Sequence, residues 1–144
     1  MRVEYPAVIT PQETGGYLVE FPDLEEAFTE GETLEEALFN AAEVLTLILE
    51  CRLDDKEKIP QPSKIKKKNV YWIAPDVKVQ AAILVKQNRQ DKSMAELARM
   101  LGTSWPSVQR LENPHHSPTL KVLDKAATAL GKKLVLSFED TGLT

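Results

Sequence analysis

The fold of the C-terminal half is decided by residues 93–111, which read SMAELARMLGTSWPSVQRL. Ser93 and Glu96 have the spacing of a capping box, in which each satisfies a free backbone donor of the other, so a helix is predicted to begin here. Gly102 marks its end, because glycine readily adopts the left-handed backbone that closes a helix. Ser104 then begins a second helix, which we expect to run to about residue 112.

The two predicted helices have the spacing of a helix-turn-helix. Ala98 is small where the helices should cross, Gly102 lies in the turn, and Val108 and Leu111 face inward from the second helix. An ordinary pair of packed helices would show part of this pattern. Because several positions agree at once, we favour the DNA-binding interpretation. Residues 93–131, including the continuation Ser117-Pro118-Thr119-Leu120, resemble the helix-turn-helix repressors of the Xre/Cro class.

In that class the second helix of the motif lies in the major groove, where its N-terminal and outward residues read base edges. Arg110 could form a bidentate pair with guanine, and Gln109 one with adenine. Trp105 could lie against a thymine methyl group or pack back onto the protein. The predicted base-reading residues are Ser104, Trp105, Ser107, Gln109 and Arg110, and Thr103 in the turn is also predicted to contact DNA. The predicted phosphate contacts are Lys92, Ser93, Asn113, His116 and Thr119.

The sequences on either side of the motif extend this domain, which we expect to span residues 75–144. A further helix is predicted over residues 75–90, with Val77, Ala81, Leu84 and Val85 inward. After Gly131, the apolar residues 134, 136 and 138 alternate like a strand, and a lone strand needs a partner edge. Pairing with the same strand of a second copy would make a homodimer that suits an operator with two half-sites. The alternative is pairing within its own chain.

A connector is predicted over about residues 55–69, because Pro60 and Pro62 stop a helix and favour extended backbone. Its lysine run, residues 66–68, could contact phosphate or act as a targeting signal, but such a run is usually only solvated charge.

Residues 1–74 have the pattern of a small α+β domain. Alternating apolar residues predict a hairpin from residues 3–9 and 17–21, and a third short strand is expected at residues 27–29. Thr33 and Glu36 form another capping box. One apolar helix face follows, formed by Leu34, Ala37, Leu38, Ala41, Leu45 and Ile48. Residues 70–73 then return to the sheet. The predicted order is β-β-β-α-β with the helix on one sheet face, followed by the all-α domain.

Charge is divided unevenly between the two halves. The 144 residues carry 18 Lys and Arg against 22 Asp and Glu, a net charge of −4. Residues 1–62 hold four cations and fifteen acids, a net of −11, whereas residues 63–144 hold fourteen cations and seven acids, a net of +7. This asymmetry indicates an acidic face for a cationic partner and a basic face for nucleic acid.

Catalytic and metal-binding arrangements are not predicted. The acidic half has no histidine and no Asp in a strand centre; Glu4 and Glu20 could face the same side of the hairpin, but a metal site needs several converging oxygens, and these acids are more typical of a surface. Cys51 is the single cysteine, so an internal disulfide and a multi-thiolate zinc site are excluded, and His115 and His116 lack a third ligand. We therefore expect no enzyme activity, no metal and no cofactor. Without a long apolar run or an apolar leader, a reduced cytoplasmic location is expected.

Two motifs of the first half carry a second resemblance. Residues 15–23 read GGYLVEFPD and residues 31–37 read GETLEEA. With the preceding Tyr5-Pro6-Ala7, they make residues 1–74 similar to the HicB antitoxin domain, and with the helix-turn-helix the whole chain resembles HicB antitoxins of type II toxin–antitoxin modules. The resemblance implies a partial RNase H-like fold without ribonuclease activity. It also implies a HicA toxin partner, which would be a small basic mRNA interferase, and repression of the protein's own operon.

The surface that would meet the toxin is not marked by a motif. Because complementary charge steers association, we predict that an acidic rim faces the toxin; it consists of Glu20, Asp23, Glu25, Glu26 and Glu30. Two other functions stay open at this point. One is a stand-alone transcription regulator whose α/β half senses a small ligand, and the other is a divalent-metal nuclease.

Overall fold

The computed structural model describes residues 1–141, which divide into two compact units. The first unit is Met1–Asp76 together with Asp140 and Thr141, and the second is Val77–Glu139. The first unit contains β1 (Tyr5–Pro11), β2 (Tyr17–Glu20), β3 (Phe28–Gly31), α1 (Leu34–Asp54) and β4 (Val70–Ile73). The second contains α2 (Val77–Arg89), α3 (Met94–Leu101), α4 (Trp105–Leu111) and α5 (Leu120–Ala129). The predicted α+β order is confirmed.

The four strands of the first unit form one antiparallel sheet in the order β3-β2-β1-β4. Alternate residues point to opposite faces of a strand. One face carries the buried side chains Tyr5, Ala7, Ile9 and Val19, and α1 packs against this sheet. The opposite face is open around Val8, Glu20 and Phe28, which lie side by side across β1, β2 and β3, whereas Pro6 on the same face of β1 is buried.

Helix α1 begins as the capping box predicts, with the Thr33 hydroxyl accepting the Glu36 backbone N–H at 3.1 Å. Its buried residues are Ala37, Leu38, Ala41, Leu45, Leu49 and Leu53. Leu34 and Ile48, which were predicted on the same face, are partly buried. The buried positions advance by four residues and so rotate slowly around the helix, as suits a helix lying across a twisted sheet.

Strand β3 ends against the first turns of α1. A methyl group on Gly31 would overlap backbone atoms of α1, so the close approach of strand and helix requires a residue without a side chain. The Asn40 amide donates to the Glu30 carbonyl at 2.9 Å and ties the helix to this edge strand. The glycine in the GETLEEA motif is therefore a packing requirement.

The connector between α1 and β4 contains no helix or strand and is fastened to the first unit. The Tyr5 hydroxyl donates to the Pro60 carbonyl at 2.7 Å, and Ile59 is buried. The Ser63 N–H donates to Asp23 at 2.9 Å, and its hydroxyl donates to the same carboxylate. The prolines thus produce an extended segment that is held at several points.

In the second unit, α3 and α4 have the predicted helix-turn-helix geometry. Ser93 caps α3, and Gly102 ends it in the left-handed region at φ 64°, ψ 37°. Ser104 caps α4. The core of this unit consists of Val85, Leu97, Ala98, Leu101, Val108, Leu111 and Ala126, with Met94, Leu123, Ala129 and Leu130 packed against it.

Helix α2 departs from its predicted inward face. The inward placement of Val77 was wrong, because it is the first helical residue and is largely exposed, whereas Leu84 is partly buried. The buried residues are Val79, Ala81, Ala82, Ile83 and Val85. They occupy more than one side of the helix, and a search for a single apolar stripe therefore misses some of them.

The C-terminal strand predicted from residues 134, 136 and 138 does not form. Residues 132–141 adopt no regular structure, and Val135, Leu136 and Phe138 are largely exposed. A strand is stable only when its backbone groups pair with a neighbouring edge, and no strand within residues 1–141 pairs with this segment. The alternative of pairing within its own chain is thus contradicted, and pairing with a second copy stays a prediction.

Candidate functional site

The exposed surface of α4 is formed by residues that the sequence selects for base reading. Trp105 is the first helical residue and is 47% exposed, while Gln109 and Arg110 are exposed one turn later. Val108 and Leu111 point into the core and fix which side of the helix faces outward. Trp105 therefore rests partly on the protein and still presents about half of its surface.

Several of the predicted polar contacts are helix caps. The Ser104 hydroxyl accepts the Ser107 N–H at 3.4 Å and shares a 2.9 Å hydrogen bond with the Ser107 hydroxyl. Ser93 and Thr119 accept the N–H of the residue three positions later, at 3.1 and 3.2 Å. These hydroxyls stabilise the helix starts, and the outward backbone donors at those starts remain suited to phosphate.

The other predicted phosphate contacts lie in loops. Asn113 is exposed, and its side-chain oxygen accepts the His115 N–H at 2.9 Å. His116 is partly buried, Lys92 is partly buried in the turn between α2 and α3, and Thr103 is exposed between α3 and α4. The motif thus carries its candidate residues on the helix starts and on the loops that join them.

A positioning ion pair was missed by sequence reasoning. The Arg89 guanidinium, at the end of α2, donates to Glu112 at 2.5 and 3.1 Å and to the Lys92 carbonyl at 2.6 Å. The two charged side chains are only 19% and 10% exposed. The hydrogen bond to Glu112 raises the pKa of Arg89, so the guanidinium stays charged. One side chain therefore joins the residue that caps α4 to the turn that precedes α3.

The five residues of the predicted acidic rim fall into two groups. Glu26 accepts two hydrogen bonds from Arg52 at 2.9 Å, and these bonds hold the pKa of Glu26 below its ordinary value. The Asp23 carboxylate accepts hydrogen bonds from the backbone N–H and the hydroxyl of Ser63. Both carboxylates thus contribute to the internal structure of the first unit, a role that residue spacings of 26 and 40 could not reveal.

The other rim residues border the open sheet face. Glu20 and Glu25 are exposed, and among the residues that the structure describes neither carboxylate has a hydrogen-bond or ion-pair partner. Glu30 is also exposed and accepts a 3.4 Å hydrogen bond from Gln12. An open groove of about 410 Å³ lies here, lined by Val8, Glu20, Phe21, Pro22, Glu25, Ala27 and Phe28.

Within residues 1–141, no three His, Cys, Asp or Glu side chains are placed to hold a metal ion. Cys51 is exposed near the end of α1. None of the helices in this range has the length and hydrophobicity needed to cross a bilayer.

Comparison with known proteins covers both units. A family model described as "HicB_like antitoxin of bacterial toxin-antitoxin system" matches residues 4–82, and one described as "Helix-turn-helix" matches residues 85–136. The chain is 35% identical over 135 residues to "Antitoxin HicB" of Escherichia coli (strain K12), which covers 93% of this chain and 98% of the relative. It is 34% identical over 140 residues to "Antitoxin HicB 1" of Photorhabdus laumondii subsp. laumondii, covering 96% and 88%. "Antitoxin HicB" of Pseudomonas fluorescens is 28% identical over 130 residues, covering 89% of each chain.

Proposed function

Because the chain belongs to the HicB-like antitoxin family, we propose that it neutralises a HicA-like toxin and represses its own operon. In this proposal residues 1–74 bind the toxin, and residues 75–144 bind operator DNA and dimerise. Neither part acts as an enzyme, no cofactor is needed, and the protein works in the cytoplasm.

The observation that carries the DNA-binding half is the exposed surface of α4. The inward residues of α4, Val108 and Leu111, are buried as a helix-turn-helix requires. Trp105, Gln109 and Arg110 remain exposed on the outward side. Arg110 has the donors for a bidentate pair with guanine, and Gln109 has the donor and acceptor for adenine. The net charge of +7 over residues 63–144 favours a polyanion.

Gel shifts of the full-length protein with the DNA upstream of its own reading frame test this half. Arg110→Ala should cost ~1–3 kcal/mol and relax the preference at one base pair. Lys92→Ala is the matched control, because loss of a phosphate contact weakens all sequences alike. Unchanged operator affinity and selectivity in Arg110→Ala would show that α4 does not read the operator through this residue.

The toxin-binding half is supported by the family and by charge. Residues 1–62 have a net charge of −11, which suits a cationic RNA-binding protein because complementary potentials speed association. Growth of cells that express the HicA-like protein of the neighbouring reading frame tests it. Co-expression of residues 1–144 should restore growth, and the two proteins should co-purify. Continued toxicity at equal expression would refute the neutralising role.

The dimer rests on the exposed apolar segment after α5. The segment that contains Leu134, Leu136 and Phe138 would pair with the same segment of a second copy, and each would provide the strand edge that the other lacks. The resulting dimer would present two α4 helices to two half-sites of an operator. Light scattering of the purified protein should give the mass of a dimer, and Phe138→Asp should shift it toward the monomer. Exposed Phe39→Asp, in the first unit, should leave the mass unchanged. A monomeric wild-type protein would refute this part.

A further inference from the structure

The open face of the sheet is amphipathic. Phe28 is 64% exposed and Trp72 is 46% exposed on this face, whereas Val8, Leu18 and Val70 are half-buried around them. Exposed aromatic residues next to a partly covered apolar surface are typical of interaction sites. Phe28, Glu20, Val8 and Val70 are paired in one row across the four strands.

Two carboxylates border the groove in this face. Glu20 stands between Val8 and Phe28 on neighbouring strands, and Glu25 lies in the loop before β3 and lines the same groove. The groove therefore combines an aromatic wall with two acids that have no partner among residues 1–141. A long cationic side chain fits this chemistry, because its aliphatic stem packs on apolar surface while its charged end meets a carboxylate.

We infer that the toxin docks across this open sheet face and inserts a lysine or arginine side chain into the groove, between Glu20 and Glu25 and against Phe28. The inference rests on the proposed toxin binding and names the surface that performs it. It also narrows the predicted acidic rim, because Asp23 and Glu26 are held by Ser63 and Arg52 and serve the internal structure. The residues that meet the partner are then Glu20, Glu25 and Phe28, with Glu30 at the edge.

Charge selects a basic protein over a second copy of this chain. Face-to-face pairing of two such sheets would bring Glu20, Glu25 and Glu30 close to the same three residues of the second copy. Carboxylates repel one another, and only positive charges could offset the cost of removing them from water. A cationic partner supplies those charges, and its own apolar surface would cover Phe28 and Trp72.

The outward face of α1 is the competing surface. It exposes Phe39 at 67% and Leu47 at 56%, with Glu43 between them. These two apolar residues are eight positions apart on a convex helix, whereas the residues of the sheet face adjoin one another and border a groove. Phe28 on the sheet face and Phe39 on α1 are nearly equal in exposure, so they form a matched pair for an experiment.

The experiment measures binding of the full-length protein to the purified toxin of the neighbouring reading frame, made catalytically inactive, by titration calorimetry. Phe28→Asp should weaken binding at least about thirty-fold, as expected when a central aromatic anchor is lost. Phe39→Asp should change it less than about three-fold. Circular dichroism and thermal unfolding confirm that both variants remain folded.

Charge reversal gives an independent measurement that does not depend on the aromatic residue. Glu20→Lys and Glu25→Lys should each slow association and reduce its dependence on salt, whereas Glu43→Lys on α1 should not. Equal weakening by Phe28→Asp and Phe39→Asp, or loss of binding only in the α1 variants, would overturn the assignment. If wild-type protein itself does not bind the toxin, the proposed function fails, and that outcome is distinct from failure of this surface.

Discussion

The ion pair between Arg89 and Glu112 should make a large contribution to the stability of the second unit. Replacing Arg89 by methionine keeps the aliphatic volume but leaves the Glu112 carboxylate, at 10% exposure, without its cation. Loss of one partner from a buried pair lowers the free energy of unfolding by about 3–5 kcal/mol. Because Arg89 is partly exposed, we expect a loss of about 3 kcal/mol. For a unit of this size that corresponds to a fall in melting temperature of roughly 12–24 °C, at about 4–8 °C per kcal/mol.

Tryptophan fluorescence can follow the second unit alone. The chain has two tryptophans, Trp72 in the first unit and Trp105 in the second, so a Trp72→Phe background leaves Trp105 as the reporter. Urea unfolding in this background gives the stability of each variant. Arg99→Met, at an exposed position on α3, is the control and should stay within about 0.5 kcal/mol of the parent.

The double variant Arg89→Met/Glu112→Met separates two explanations. If the cost of the single change is an unpaired carboxylate, removing that carboxylate should restore most of the lost stability. If Arg89→Met alone costs less than about 1 kcal/mol, as exposed ion pairs do, the reasoning is refuted. The end of α4 would then be held by its apolar contacts alone.

Three further predictions concern the first unit, and urea unfolding followed by circular dichroism checks each. Gly31→Ala should destabilise it by at least ~1–3 kcal/mol, because the added methyl overlaps the backbone of α1; wild-type stability would contradict that packing. Burial raises the pKa of Tyr5 to about 12, so its contribution is intact below its ordinary pKa of about 10 and is lost as pH rises through 12. Tyr5→Phe, which also loses the bond to Pro60 worth ~1 kcal/mol, should lack this alkaline decline. Arg52 lowers the pKa of Glu26, so their contribution is present above the ordinary glutamate pKa and is lost as pH falls below it; Glu26→Gln should flatten the acid side of the profile.

Short-range signals predicted much of the fold. The caps at Thr33, Ser93 and Ser104 and the left-handed Gly102 depend on residues within four positions, and the structure confirms all four. The order of strands and helices and the turn of the helix-turn-helix follow from such local features. Alternation also predicted the covered face of the sheet, because a period of two assigns each strand residue to one side.

The failures involve interactions between distant residues. Arg89 and Glu112 are 23 positions apart, and Asp23 and Ser63 are 40 apart, so no spacing rule connects them. The intramolecular partners of Asp23 and Glu26 in the predicted rim could not be found from the sequence for that reason. The strand after Gly131 was predicted only from the alternation of apolar and polar residues. That pattern indicates which side chains would share a face of a sheet, but it does not show that a neighbouring strand is present to pair with the segment.

The strand order also has a consequence for biosynthesis. Strand β4 pairs with β1, so the sheet is complete only when Val70 has been synthesised and can pair with Val8. At about 5–20 residues per second, a ribosome needs several seconds to add the intervening chain. During that interval one side of β1 is unpaired and the connector is not yet fastened. We therefore expect the nascent first unit to close only after β4 has left the ribosome, as synthesis of the helix-turn-helix begins.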